Sequence, residues 1–90
     1  MARDQDVERG IVEYAVLMFD RTSKGIRPTD RLLAADPAQA GRIANRIEAQ
    51  HEGVLIYSRR CDPDLGEYDD PVVLETRGNL PPDYQELLGG

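Results

Sequence analysis

One segment constrains the fold of this 90-residue chain more than any other. DPAQAGRIANRIEAQHEG, residues 36–53, carries the one complete set of helix signals in the sequence. Asp36 stands where a cap accepts free amides, Pro37 suits a first helical position because it has no amide to satisfy, and Gln39 stands where a capping box takes Glu or Gln. Ala40, Ile43, Ala44 and Ile47 then recur at i, i+3, i+4 and i+7, so one stripe is apolar. Arg42, Asn45, Arg46 and Gln50 point elsewhere. Gly53 is expected to stop the helix as a left-handed cap. Gly41 costs about 1 kcal/mol of helix propensity, which predicts a neighbouring backbone close to it. His51, in the last helical turn, is expected to interact with the helix carbonyls. With one helix only, the apolar stripe needs a sheet to pack on.

The strands follow from composition along the chain. GIVEYAVLMF (10–19) is rich in β-branched and aromatic residues and apolar on both parities from Val16 to Phe19, so it reads as a strand buried on two sides in its second half. DRTSKGIRPTD (20–30) reads as a turn or long hairpin loop, and RLLAA (31–35) as a short strand pairing back on the first. VLIYSRR (54–60) and PVVLETR (71–77) read as an antiparallel hairpin joined by residues 61–70. On the first, Val54, Ile56 and Ser58 oppose Leu55, Tyr57 and Arg59. On the second, Val72 and Leu74 oppose Val73, Glu75 and Arg77. After the break GNLPP, DYQELL (83–88) is expected to make a turn or two of helix capped by Asp83.

The expected architecture is therefore α+β: a single small sheet of three to four mainly antiparallel strands with one helix packed on one face, in the order β(β)αββ plus a short C-terminal helical tail. Residues 1–90 form a single domain in this reading, with 1–9 and 82–90 flexible or dependent on a partner. One helix leaves the second sheet face, with Leu55, Tyr57 and Val73, to be covered by the tail, a second copy or a partner. Burying such side chains contributes roughly 1.5–3 kcal/mol each, and a homodimer is the expectation.

Composition narrows the function classes. With 40 % apolar and 31 % charged residues the chain reads as a soluble globule. Its longest apolar runs, AVLMF (15–19) and VLIY (54–57), fall far short of the ~20 residues that span a bilayer. MARDQDVERG is charged and carries no apolar secretory core, and a lone Cys61 offers no internal disulfide, so a cytoplasmic location is expected. The net charge of −6 speaks against direct nucleic-acid binding. Residues 1–61 hold ten basic and nine acidic side chains, whereas residues 62–90 hold eight acidic ones against Arg77 alone. All of the net negative charge lies in the last third.

That charge concentrates in RRCDPDLGEYDDP, residues 59–71. Asp62 and Asp64 suggest a calcium loop, but Gly66 falls where a third side-chain ligand is required, Glu67 where the turn glycine is required and Val73 where a bidentate Glu is required. Cys61 and His51 have no second Cys or His to complete a zinc site, and no metal or cofactor is expected. As a thiol–imidazole pair they would make the one conceivable nucleophile, yet four acids follow Cys61 within eight positions and disfavour a thiolate. No phosphate loop, G-x-S-x-G elbow or H-E-x-x-H is present, so no catalytic residue is assigned. Asp62-Pro63 and Leu65-Gly66 are turn signals, and a turn keeps carboxylates wet. The five carboxylates Asp62, Asp64, Glu67, Asp69 and Asp70 exceed what a turn needs. They point to a partner protein with a basic surface, and rows of carboxylates can also occupy and block a nucleic-acid channel. The resulting expectation is a small binding or regulatory protein without catalytic activity, in a concrete version an inhibitor of a nucleic-acid-binding machine of the anti-CRISPR kind. The alternative rests on ELLGG at the end of the sequence, because a terminal Gly-Gly is the handle of ubiquitin-like and sulfur-carrier proteins, although Pro81 and Pro82 stand where their last strand would run.

From the helix onward the chain resembles a group of small uncharacterised bacterial proteins, mostly of alphaproteobacteria. The shared pattern is a helix, then Gly53-Val54, an apolar strand ending in Ser58-Arg59, a loop with Asp62, Pro63, Gly66, Glu67 and Asp70, a second apolar strand, and Gly78 and Pro81. The resemblance covers about residues 40–81 and rests on turn and strand positions. It implies the same helix-and-hairpin layout and no catalytic residue. Cys61 stands where that pattern commonly has a small residue.

Overall fold

The computed structural model describes residues 11–62 and 64–89 and has the α+β architecture that the sequence suggests. β1 (Ile11–Thr22) and β2 (Gly25–Ala34) form an antiparallel hairpin closed by Ser23 and Lys24. The turn is pinned by Thr22, whose hydroxyl donates to the Gly25 carbonyl (2.8 Å) and accepts from the Lys24 amide (3.0 Å). Helix α1 (Pro37–Ile47) follows, then a 3₁₀ turn (Glu48–Gln50), β3 (Gly53–Asp62), the two-residue β4 (Glu67–Tyr68), β5 (Val72–Gly78) and α2 (Tyr84–Gly89). The sheet order is β2-β1-β3, with β4 and β5 both on the far edge of β3. Because β2 and β3 are each antiparallel to β1, they run parallel to one another, and α1 carries the chain across β1 between them.

The start of α1 forms as its local chemistry requires. Asp36 Oδ1 accepts the Gln39 amide at 2.7 Å, and Gln39 Oε1 accepts the Ala35 amide at 2.6 Å, a reciprocal box that satisfies two otherwise open donors. The end differs from expectation. The α-helix stops at Ile47, and Gly53 is not its left-handed cap but the buried first residue of β3. A Cβ on Gly53 would run into the Asn79 carbonyl, and Gly78, its partner across the β3–β5 ladder, sits at φ 77° against the Glu52 carbonyl. The close approach expected at Gly41 is absent, since a Cβ there meets nothing within 4 Å.

Two apolar layers sandwich the sheet. Against α1 lie Val16, Val54 and Ile56, packed with Ala40 and Ala44 and flanked by Ala34, Ile43 and Ile47. On the other face lie Ala15, Phe19, Leu55 and Tyr57, covered by Leu80, Tyr84 and Leu88 from the C-terminal segment. The fully buried large side chains divide evenly, with Val16 and Val54 facing α1 and Phe19 and Leu55 facing α2. Leu55, Tyr57 and Val73 are thus taken up within the chain, and the tail provides the cover that the sequence left open among tail, second copy and partner. The Tyr57 hydroxyl accepts from Arg31 Nη1 at 3.2 Å.

Two further expectations are corrected. Most of residues 20–30 is strand, because β1 runs on to Thr22 and β2 begins at Gly25, where φ is 98°. On β5, Val73 does not share a face with Glu75 and Arg77. The register shifts between Ile56↔Glu75 and Tyr57↔Val73, leaving Leu74 as an extra residue and reversing the parity. Val73 therefore packs with Tyr57, whereas Arg77 reaches α1, donating to Asn45 Oδ1 at 2.7 Å. Among the described residues no helix is long and apolar enough to cross a membrane.

Candidate partner-docking site: the acidic hairpin

The last residues of β3 and the short β4 form a small hairpin of their own, paired Cys61↔Tyr68 and Asp62↔Glu67. Asp62 organises its turn. Its carboxylate accepts the Asp64 amide at 3.1 Å, and its carbonyl accepts the Gly66 amide at 2.8 Å. Gly66, at φ 70°, takes the left-handed position that closes the turn. Just past β4, the Asp69 amide donates to the Arg60 carbonyl at 2.8 Å, which holds the returning chain beside β3.

Of the five carboxylates expected to meet a partner, Asp62 is half-buried and engaged with its own turn. Asp64, Glu67, Asp69 and Asp70 are exposed, and among the described residues none of them takes part in an ion pair or side-chain hydrogen bond. Four carboxylates within seven residues, none ion-paired among the described residues, give a field that reaches about 10 Å at 0.1 M salt. Two apolar side chains that the charge pattern conceals stand among them, Leu65 at 67 % and Tyr68 at 61 % exposure. Beside the return of the hairpin, a cleft of about 490 Å³ opens between β5 and α2, lined by Asp70, Pro71, Val73, Gln85 and Leu88. A mixed lining, apolar at Pro71, Val73 and Leu88 and polar at Asp70 and Gln85, fits the aliphatic stem and cationic head of a long basic side chain.

The other chemistry considered for this segment is not assembled. Cys61 is 5 % exposed and lies 3.5 Å from the Ile11 carbonyl, to which its thiol donates. Burial, and next the carboxylate of Glu13, push the thiol pKa up, away from a reactive thiolate. His51 lies before the opposite end of β3, about 30 Å away at strand rise, and its Nδ1 meets Asp20 Oδ2 at 2.9 Å rather than the helix carbonyls. Among the described residues no three His, Cys, Asp or Glu side chains converge to hold a metal ion. Gly90 lies outside the described residues, while Leu87 and Leu88 before it are helical and the Leu88 carbonyl accepts from Arg59 Nη2 at 2.8 Å.

The chain matches no protein-family model, no curated protein and no solved structure. Its functional reading rests on its own geometry.

Proposed function

We propose that this protein is a small non-catalytic binding module that docks its β3–β4 hairpin on a basic protein surface. The observation that carries the reading is the set of four exposed carboxylates, Asp64, Glu67, Asp69 and Asp70, without an ion pair among the described residues, bracketing the exposed Leu65 and Tyr68. Carboxylates steer the encounter and reject acidic partners, while an aromatic and an aliphatic side chain supply the desolvated centre that an interface needs. A long basic side chain of the partner enters the cleft beside Asp70. A groove that normally holds a phosphate backbone has this chemistry, so an inhibitor of a nucleic-acid-binding machine is the concrete form proposed.

Two variants of equal net charge test the reading. One carries Asp64→Asn, Glu67→Gln, Asp69→Asn and Asp70→Asn. The other carries the same number of neutralisations elsewhere, at Asp30, Glu48, Asp83 and Glu86. Each is immobilised beside the original chain for capture from cell extract at low salt, with the retained proteins compared by mass spectrometry. The hairpin variant is expected to lose its basic partners while the control keeps them. Equal losses in both would reduce the effect to net charge and remove the hairpin from the account. The carrier alternative is tested by deleting Gly89 and Gly90, which would abolish thioester formation with an adenylating enzyme and leave partner capture unchanged.

A further inference from the structure

The end of the molecule opposite the acidic hairpin carries a second cleft, of about 540 Å³, between the tip of the β1–β2 hairpin and the segment Leu80–Asp83. Its floor is apolar, made by Ile26, Leu80 and Pro81, and its rim is cationic, made by Arg21, Lys24 and Arg27, with Asp83 the one acid that lines it among the described residues. Arg21 is loosely held, 3.8 Å from Glu52 with 65 % of its side chain exposed, and among the described residues Lys24 and Arg27 form no ion pair.

We propose that this cleft receives the acidic hairpin of a second copy of the chain. The inference rests on the reading of that hairpin as a docking element and names a partner for it. The complementarity is of two kinds. Asp64, Glu67, Asp69 and Asp70 meet the Arg21, Lys24 and Arg27 rim, and the exposed Leu65 and Tyr68 meet the apolar floor. One copy cannot satisfy both halves itself. The β1–β3 ladder runs from Phe19↔Gly53 at one end to Ile11↔Cys61 at the other, the cationic hairpin tip continues past the first end, and the acidic turn continues past the second. The molecule is 52 Å along its longest axis. The contact joins hairpin to cleft, head to tail, and either closes reciprocally in a two-fold antiparallel pair or propagates into a ring or an open chain of copies.

Sedimentation equilibrium of the full chain, at about 50 mM and about 500 mM salt, tests the proposal, since screening shortens the reach of the charges from about 14 Å to about 4 Å between them. The average mass of the original chain is expected to rise with concentration at low salt and to fall back towards the monomer at high salt. A cleft variant, Arg21→Gln with Lys24→Gln and Arg27→Gln, is expected to be monomeric. The hairpin variant, Asp64→Asn with Glu67→Gln, Asp69→Asn and Asp70→Asn, is expected to be monomeric as well. Mixed in equal amounts, they keep one good cleft and one good hairpin between them, so a 1:1 dimer that grows no further is expected. A monomeric original chain at all concentrations, association that survives in both variants, or a mixture that stays monomeric would each overturn head-to-tail docking. If the original chain is monomeric while its hairpin still captures basic partners, self-docking alone fails. If the hairpin also captures none, the proposed function fails with it.

Discussion

At the outer end of the β1–β3 ladder, Asp20 accepts from His51 Nδ1 at 3.0 Å through Oδ1 and at 2.9 Å through Oδ2, and the Thr29 hydroxyl donates to the same carboxylate. The Thr29 hydrogen bond, and next that of His51, hold the Asp20 carboxyl below the ordinary aspartate range. A carboxyl whose pKa is lower in the folded than in the unfolded chain stabilises the fold fully above its unfolded value, and that contribution is lost as pH falls through the folded one. Asp20→Asn is therefore expected to flatten the acid limb of a Tm-against-pH curve below about pH 4. Parallel limbs for the two proteins would show that the trio adds nothing. The glycines make a second residue-scale test, read from urea midpoints. Gly41→Ala is expected to stabilise by about 0.5–1 kcal/mol, because the helix gains propensity and the new methyl meets nothing. Gly53→Ala is expected to cost more than about 3 kcal/mol, because the Asn79 carbonyl occupies the space. Sequence alone treats these positions the other way, Gly41 as a close approach and Gly53 as a cap. The Asp36–Gln39 box was legible because its partners are three residues apart, whereas His51 finds Asp20 at a separation of 31 residues, which no local pattern records.

At the scale of elements, α2 does for the second sheet face what α1 does for the first. It lays Tyr84 and Leu88 over Leu55, Tyr57 and Val73. Leu88→Ala is expected to lower stability by about 1–3 kcal/mol and to raise the binding of an apolar dye. Leu87→Ala, at a position 38 % exposed, is expected to stay within about 0.5 kcal/mol. Equal effects of the two would mean that α2 is not docked through Leu88. The helix α1 and the strands β1, β3 and β5 are legible because apolar periodicity and turn residues agree along them. The first half of β2 is not. Ile26 is its one strand-forming apolar residue, and it includes Pro28, which an edge strand tolerates because one side of it has no ladder to serve. Pairing with the polar extension of β1 makes it a strand. The extra residue at Leu74 is equally silent in sequence, and it decides which face of the sheet Val73 joins.

At the scale of the whole molecule, the acidic hairpin and the Arg21, Lys24 and Arg27 rim lie at opposite ends of the sheet. The acidic end was legible because five carboxylates follow one another within nine residues of sequence. The cationic cleft was not, because its rim comes from β1, β2 and their turn, while its floor draws on Leu80 and Pro81 far along the chain. Exposure of Leu65 and Tyr68 was hidden for a related reason, since an apolar residue in a polar run reads equally well as a core contact or an anchor. The central claim is that the β3–β4 hairpin is the docking surface. Its most direct test is a titration of the isotope-labelled chain with an arginine-rich peptide, followed by backbone amide shifts at low salt and again at high salt. The expected result is a set of shifts confined to residues 64–70 and the neighbouring cleft residues Val73, Gln85 and Leu88, lost at high salt. Shifts spread evenly over Asp30, Glu48, Asp83 and Glu86 as well, or absent from residues 64–70, would contradict it.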